Sequence, residues 1–310
     1  MKKILLLLKH HLHSDFNTAH YAFVLSFLGI CLYFNYRWNF YNDFLNEQTG
    51  VTKFIYCFFF YGIAYFVPVI SFSFFTKQFD HFKIAGFWIK SLLVISLLAL
   101  DNTIAFYWEW VETMVVHPLR FWVFKILNYL MSFVTIIAPL LVFHHFYEKE
   151  ERNYYGLNSN TFDVKPYLLL LLIVMPVIII AAFHGSFLNQ YPMYKSSGAN
   201  GYLCTPEWFT VLLFELSYAF DFISVEFAFR GFLVIGMIAV MGRSAVLTMA
   251  SVYCFLHFGK PAGEAMSSII GGYILGVIAY ETKSIWGGII IHIGVAMTME
   301  LAAFMQRYDF

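Results

Sequence analysis

The sequence predicts an all-α protein, a polytopic transmembrane bundle of about eight to nine helices. Hydrophobic residues make up 60% of the chain and aromatic residues 21%, while only 12% of the residues are charged. Soluble domains carry about 25% charged residues, so the bundle is expected to reside in a membrane. The 310 residues accommodate eight or nine spans of about 20 residues with short connections, which leaves no room for a large soluble domain.

Nine apolar stretches are long enough to cross a bilayer. The sixth contains a polar interruption, "DFIS" at 221–224, which predicts either two half-helices or one tilted helix. Polar stretches at 147–160 and 188–201 predict loops. The nine apolar stretches lie near residues 20–37, 53–75, 84–105, 120–145, 166–185, 207–241, 244–259, 265–282 and 285–304.

The first residues, "MKKILLLLKHHLH", combine basic residues with an apolar run of only five, residues 4–8. This run is too short for a signal peptide and predicts a helix that lies at the membrane surface. Lys and Arg in alternate loops number ten against six, which favours a cytoplasmic N-terminus. We therefore expect a multi-pass protein of the bacterial inner membrane, with the bilayer as its surroundings and its N-terminus in the cytoplasm.

The charge balance and the cysteine positions argue against a nucleic-acid partner and against a structural cysteine site. The 19 basic and 19 acidic residues balance, and no basic run is present, so no nucleic-acid partner is expected. The four cysteines are scattered and form no CxxC pair, so neither a disulfide framework nor a zinc–cysteine site is expected. They are Cys31, Cys57, Cys204 and Cys254.

Ionisable residues within apolar segments concentrate in the last third of the chain. A charge at a helix centre costs about 2.5–3.5 kcal/mol on insertion scales, so such residues usually face a bundle interior and often mark function. Lys90 and Lys125, in the earlier spans, are interpreted instead as packing or snorkelling residues. The candidates in the last third are Glu215, Asp221, Glu226, Arg230, His257 and His292.

Glu226 and Arg230 are four residues apart, so they lie on one helical face and favour an ion pair. In a continuous helix, Glu215, Tyr218 and Phe222 fall on the same stripe. The stripe predicts a largely polar face within an apolar helix.

The two histidines lie in later spans. His257 follows Tyr253 by one turn, and His292 precedes Ala296 and Glu300 on the face of the last span. Between these spans, glycines 272 and 276 have GxxxG spacing, which allows helices to approach closely. We therefore expect a Glu, an Arg and two His from three helices to converge, although each could also serve only in helix packing.

These motifs, in this order, resemble those of the CPBP family of intramembrane proteases (CAAX protease and bacteriocin-processing, or Abi). The family pattern is EExxxR, then FxxxH, then HxxxN or HxxxD. This chain offers "VEFAFRG" (225–231), "YCFLH" (253–257), a glycine-rich "GGYILG" (271–276) and "HIGVA" (292–296). The resemblance implies a CPBP-like core at residues 161–310, preceded by an N-terminal extension of about four spans at residues 1–160.

The resemblance also implies a catalytic set, from which this chain departs at two positions. In the family, the first Glu and the first His activate a water, while the last His and the Asn stabilise the oxyanion. Val225 occupies the position of that Glu, and Ala296 occupies the position of the Asn. Loss of a general base commonly lowers a rate about 10²–10⁴-fold, and loss of an oxyanion donor about 10²–10³-fold.

Three other acids are candidates to replace the missing Glu. Asp221 lies one turn before Val225, Glu226 could reorient if the helix breaks at "DFIS", and Glu300 could enter from the last helix. Val225, Tyr253, Ala296, Asp221 and Glu300 are accordingly expected to line the cavity. Glu226, Arg230, His257 and His292 are the retained motif positions.

Three functions follow as hypotheses. The favoured one is a catalytically impaired relative that uses its cavity to bind a hydrophobic peptide, a lipid-modified protein or another membrane protein. The alternative is an active endopeptidase of the glutamic or metal-dependent type, for which His257 and His292 are the candidate ligands of a divalent metal. A transporter is a third possibility, but no inverted repeat supports it. No cofactor is otherwise expected.

Overall fold

The computed structural model describes residues 2–104, 106–158, 163–196 and 198–307, without the side chains of residues 2, 3, 15 and 106. Within these ranges the chain is helical and contains no strand, which confirms the predicted all-α class. Loops of a few residues connect most of the helices. The helices of the N-terminal half are α1 (Lys2–Asp15), α2 (Thr18–Trp38), α3 (Gly50–Thr76), α4 (Ala85–Thr103), α5 (Phe106–Met114), α6 (His117–Ser132) and α7 (Ala138–Tyr147).

The C-terminal half begins after a loop that includes a single helical turn at Tyr154–Gly156. Two short helices, α9 (Gly185–Gln190) and α10 (Ala199–Tyr202), lie between the longer ones. The other helices are α8 (Lys165–Ala181), α11 (Glu207–Glu226), α12 (Ile238–Met241), α13 (Ser244–Leu256), α14 (Ala262–Thr282) and α15 (Trp286–Arg307).

Seven helical regions in the described part of the chain are long and apolar enough to cross a membrane. The two shorter apolar helices, α8 and α13, fall where the sequence predicts the fifth and seventh spans. The seven regions, of which the third includes the undescribed residue 105, are Thr18–Trp38, Gly50–Thr76, Ala85–Met114, His117–Tyr147, Glu207–Met241, Ala262–Thr282 and Trp286–Arg307. The order of apolar segments in the sequence is therefore the order of helices in the bundle.

Helix α13 lies at the centre of the bundle. Every residue from Ser244 to Phe255 is buried, and the helix packs against α3 on one side and α14 on the other. Glycines permit the close approach to α14: a methyl group at Gly272 would lie 2.9 Å from the Tyr253 ring, and one at Gly276 would lie 3.1 Å from the Val246 side chain. The GxxxG spacing therefore serves the helix contact that it predicts.

The polar stretch at 221–224 does not interrupt its helix. Helix α11 continues through Glu226 and passes into a π-helical segment, Phe227–Phe232. The regular α-helix ends only there, so the interpretation as two half-helices broken at 221–224 is wrong. The reason is local, because Phe222 and Ser224 are buried against neighbouring helices and all four residues keep their helical hydrogen bonds.

Lys90 is neither a simple packing residue nor a snorkelling residue. Its side chain is buried, donates to the carbonyl of Gly236 over 2.7 Å and forms an ion pair with Glu148. The Tyr155 hydroxyl also donates to Glu148. Lys90 thereby ties the N-terminal half of the bundle to the turn that follows the π-helical segment. Lys125, by contrast, lies 5.9 Å from the Phe121 ring centre, as expected for a packing residue.

Candidate active site

The centre of the candidate site is Glu226, which is fully buried at the end of α11. One of its oxygens, Oε1, accepts a hydrogen bond from Arg230 Nη1 over 2.8 Å, as the four-residue spacing predicts. Arg230 is itself fully buried, and its guanidinium carbon lies 4.3 Å from the centre of the Tyr253 ring. The ring face and the carboxylate together stabilise a cation that has no access to water.

His292, from α15, contacts the same carboxylate oxygen. Its Nδ1 lies 2.9 Å from Glu226 Oε1, and its Nε2 lies 3.2 Å from the Tyr253 hydroxyl. A carboxylate can only accept, so Nδ1 carries a proton, and Nε2 is paired with the tyrosine hydroxyl. Both ring nitrogens of His292 are therefore engaged within the protein.

His257 lies at the end of α13, on the other side of Tyr253. Its Nδ1 donates to the Tyr253 carbonyl over 2.8 Å, and the two rings are 4.5 Å apart. In the described part of the chain, no carboxylate forms an ion pair or hydrogen bond with His257. Glu226, Arg230 and both histidines thus converge as predicted, linked through Tyr253, but the carboxylate contacts His292 and not His257.

The two positions at which the chain departs from the family pattern are occupied by apolar packing. Val225 is half-buried and packs against the main hydrophobic core. Ala296 is 3% exposed and belongs to a cluster of aromatic side chains that includes Phe222. The Phe222 ring lies 4.3 Å from the His292 ring and covers the side of the site next to Ala296. The spacing pattern had placed Phe222 on the stripe but did not indicate this role.

The other acids that could replace the missing Glu have partners elsewhere. Asp221 accepts a hydrogen bond from the Ser132 hydroxyl over 2.5 Å. Both Glu300 oxygens lie 2.9 Å from the backbone N–H of Met193, which donates to them. Glu226 does not reorient, because α11 is not broken at 221–224. None of the three carboxylates contacts His257 in the described structure.

Two supporting features of the site are not part of the sequence motifs. A methyl group at Gly288 would overlap Oε2 of Glu226, so this glycine lets α15 close over the carboxylate. The ring and carbonyl of Tyr155 pack against Gly231 and Gly236, which flank the end of the π-helical segment. The adjacent glycines of "WGGI" (286–289) were the available signal for the first feature, whereas Tyr155 lies in a polar loop and gave none.

The metal expectation finds no geometric support in the described residues. No group of three or more His, Cys, Asp or Glu side chains there is arranged to hold a metal ion. His257 and His292 have separate partners, Tyr253 and Glu226.

A groove on the outer surface of the bundle lies between α6 and α11. It has a volume of about 250 Å³ and its lining is almost entirely apolar. The groove is bordered by Trp122, Val123, Ile126, Leu127, Leu213 and Ser217. Its position between two spanning helices makes it accessible from the hydrocarbon region of a bilayer.

Comparison with known proteins agrees with the motifs. Residues 206–298 match the family model Rce1-like, described as type II CAAX prenyl endopeptidase Rce1-like. The matched region extends from the start of α11 into α15 and contains Glu226, Arg230, His257 and His292. No curated protein and no solved structure matches the chain significantly. The match confirms the resemblance to the CPBP and CAAX protease family.

Proposed function

We propose that this membrane protein, whose residues 206–298 match a CAAX prenyl endopeptidase family model, binds a lipid-modified protein partner without cleaving it. The observation that carries the proposal is the engagement of Glu226 by Arg230 and His292 at a single oxygen. A general base must reach the proton of a water, directly or through one intermediate. The proposal extends to a bacterial inner membrane with the N-terminus in the cytoplasm.

Glu226 is poorly placed to activate a water. Oε1 already accepts hydrogen bonds from Arg230 Nη1 and His292 Nδ1. Oε2 is buried against Gly288 and has no hydrogen-bond partner among the described groups. The carboxylate therefore has no oxygen open to a cavity. The position from which the family Glu would act is held by the Val225 side chain, which can neither accept a proton nor bind a metal.

His292 is equally poorly placed to stabilise an oxyanion. An oxyanion donor must present a free N–H toward the developing charge. In this chain the Nδ1 proton of His292 is directed to Glu226, and Nε2 is paired with the Tyr253 hydroxyl. Ala296 cannot replace the donor amide that the family carries at this position.

The groove on the outer surface, between α6 and α11, suits an apolar ligand. The groove is apolar and lies between two helices long and apolar enough to span a membrane, and a lipid chain can occupy it without desolvating any charge. We take the lipid chain of a lipidated protein as the occupant, because the matched family model is that of a prenyl endopeptidase.

The first experiment asks whether the purified chain binds without cleaving. A peptide with a farnesylated cysteine three residues from its C-terminus is incubated with the protein and analysed by mass spectrometry. The proposal expects photo-crosslinking of the farnesyl group and no cleavage above the protein-free background. Ile126→Trp, which fills the groove, should reduce crosslinking, whereas Leu216→Trp on the exposed face of α11 should not. Cleavage by the natural chain would overturn the proposal.

The second experiment restores the missing groups. The double variant Val225→Glu/Ala296→Asn supplies a carboxylate and an amide at the two departed positions. We expect it to cleave the farnesylated peptide, whereas Val225→Gln/Ala296→Asn, which matches it in size but lacks the base, should not. Cleavage by both double variants would show that another residue supplies the base.

One observation favours the alternative function, an active endopeptidase. The Glu226–His292 pair resembles a carboxylate–imidazole dyad, and such a dyad could activate a water if Arg230 released the carboxylate. In that case the natural chain would cleave the peptide, and Glu226→Gln and His292→Ala would each abolish cleavage.

A further inference from the structure

The turn that follows α13, residues 257–260, carries His257 and is wound more tightly than an α-helix. The backbone N–H of His257 donates to the carbonyl of Cys254, three residues earlier, and the N–H of Phe258 donates in the same way to Phe255. In a continued α-helix, the His257 N–H would take the carbonyl of Tyr253, four residues earlier. The tight turn therefore leaves the Tyr253 carbonyl to the His257 side chain, whose Nδ1 donates to it over 2.8 Å.

This side-chain hydrogen bond fixes where the His257 ring carries its proton. A carbonyl can only accept, so Nδ1 is protonated, and Nε2 of the neutral ring presents a lone pair. The side chain is half-buried, and Nε2 forms no hydrogen bond within the described part of the chain. Nε2 is therefore an acceptor for a donor group that enters the site, such as a water or a backbone N–H.

The carbonyl groups of this turn are held from the N-terminal half of the bundle. Asn35, near the end of α2, is 3% exposed, and its Nδ2 donates to the Phe258 carbonyl over 2.9 Å. Its Oδ1 accepts from the Tyr41 N–H over 3.0 Å, so both ends of the amide are engaged. The Tyr36 hydroxyl donates to the Lys260 carbonyl over 2.8 Å. Two carbonyls beyond the end of α13 thus receive their donors from α2.

Aromatic rings from the same half of the bundle pack against the turn. The Tyr41 ring lies so close to Gly259 that a methyl group there would be 2.8 Å from it. The Phe258 ring lies 5.6 Å from the ring of Phe60 in α3. Asn102 of α4 donates to the Tyr41 hydroxyl over 3.0 Å and holds that ring in place. The turn is therefore fixed by packing as well as by hydrogen bonds.

All of these supporting residues precede the family-matched region, and Asn35 is 223 positions from Phe258. We propose that Asn35 is a positioning residue for His257. It holds the turn in the form that frees the Tyr253 carbonyl, and it thereby fixes the tautomer with the proton on Nδ1. This role goes beyond the proposed function and is the same whether the chain binds its partner or cleaves it. The matched region thus depends on α2 for the geometry of its own site.

The test is the nitrogen NMR spectrum of isotope-labelled histidine rings in the full-length protein, at about pH 8, above the pKa of an ordinary histidine. Couplings to the ring carbon-bound protons show which nitrogen is protonated, and His257→Gln identifies the signals of this ring. We expect wild type to be protonated at Nδ1. Asn35→Leu, similar in shape but unable to donate, should lower the ratio of the Nδ1–H to the Nε2–H form about two- to tenfold, the range for loss of one hydrogen bond.

Two control variants separate positioning from a general loss of stability. Asn42→Leu changes an exposed asparagine between α2 and α3 whose side chain donates to Asn39. Lys90→Met breaks the ion pair with Glu148 and destabilises the bundle elsewhere. Both should keep the wild-type ratio. Tyr36→Phe removes one donor to the turn at an exposed position, so it should fold and lower the ratio, and it decides the matter if Asn35→Leu does not fold.

Three results would refute the proposal. One is a wild-type His257 protonated at Nε2 alone. Another is a wild-type ratio in Asn35→Leu, or in Tyr36→Phe where the first variant does not fold. The third is a ratio that falls as far in either control variant as in Asn35→Leu, which would make the effect one of stability. Because no peptide is added, the outcome is independent of whether the chain binds or cleaves the farnesylated peptide.

Discussion

Glu226 Oε1 lies 2.9 Å from His292 Nδ1, so the carboxylate that the motif spacing pairs with Arg230 also fixes a histidine from the last helix. One oxygen atom therefore joins α11 to α15 at the centre of the family-matched region. The consequences for stability and for the site can be measured.

Glu226→Gln is expected to destabilise the protein by about 3–5 kcal/mol, because it leaves the Arg230 charge buried without its counter-ion. Unfolding in detergent, followed by circular dichroism, measures the change. The double variant Glu226→Gln/Arg230→Met removes both charges and should recover much of the loss. A double variant as unstable as Glu226→Gln would contradict the pairing.

Gly288→Ala is expected to destabilise the protein by about 1–3 kcal/mol, because the added methyl group overlaps Glu226 Oε2 and forces α15 away from α11. The matched control is Gly271→Ala in α14, where nothing lies within 4 Å of the new methyl group. Alanine is the better helix former, so the control should be neutral or slightly stabilising. Equal losses in both variants would mean that the close packing at Gly288 is not responsible.

Lys90→Met is expected to cost about 3 kcal/mol, since it leaves the partly buried Glu148 without its cation and the Gly236 carbonyl without a donor. Lys83→Met breaks the fully exposed pair with Asp80 and should leave the unfolding transition unchanged. The two lysines thus test whether burial, and not the mere presence of an ion pair, determines the effect. Similar shifts in both variants would count against this explanation.

His11 is expected to make the stability pH-dependent. Burial, with a smaller contribution from Arg243, lowers the pKa of His11 to about 4, although Glu281 acts in the opposite direction. The unfolded chain takes up a proton near pH 6.5, so stability is highest above that pH and falls as the pH drops toward 4. From pH 7 to pH 5 we expect a loss of up to about 2 kcal/mol, at 1.36 kcal/mol per pKa unit.

The measurement is the difference between wild type and His11→Gln in unfolding free energy at the two pH values. Subtracting the variant removes the contributions of the other ten histidines. If His11→Gln lost as much stability as wild type on acidification, the buried ring would not be the group that titrates.

The sequence predicts the helices and the convergence of the four motif residues because both depend on local patterns. Apolar stretches of about 20 residues and four-residue spacings do not depend on how the helices pack. The Glu226–Arg230 ion pair and the order of the helices therefore follow from the sequence. The contact between Glu226 and His292 joins residues 66 positions apart, and no local pattern specifies it. The polar stretch at 221–224 allowed either two half-helices or one tilted helix; in the structure α11 continues through it, and Phe222 packs against His292.

Lys90 illustrates a second limit. A lone lysine in an apolar span usually extends to the interface, and that expectation was reasonable from its neighbours alone. Its partner Glu148 lies in a loop 58 positions later, and the Gly236 carbonyl that it binds lies in a short helical turn that follows the π-helical segment. The division of the chain into an N-terminal extension at residues 1–160 and a core at residues 161–310 stays a prediction.

Helix α13 has 13 residues, which correspond to about 20 Å at 1.5 Å per residue, against a hydrocarbon core of about 30 Å. It is therefore too short to be held by the bilayer alone, and it is buried on all sides by α3, α14 and their neighbours. During biogenesis this segment reaches its final place only after α14, which follows it in the chain, has been made. His257, at the end of α13, therefore takes its place only after α14 is present, and the site is complete only when α15, which carries His292, has also been made.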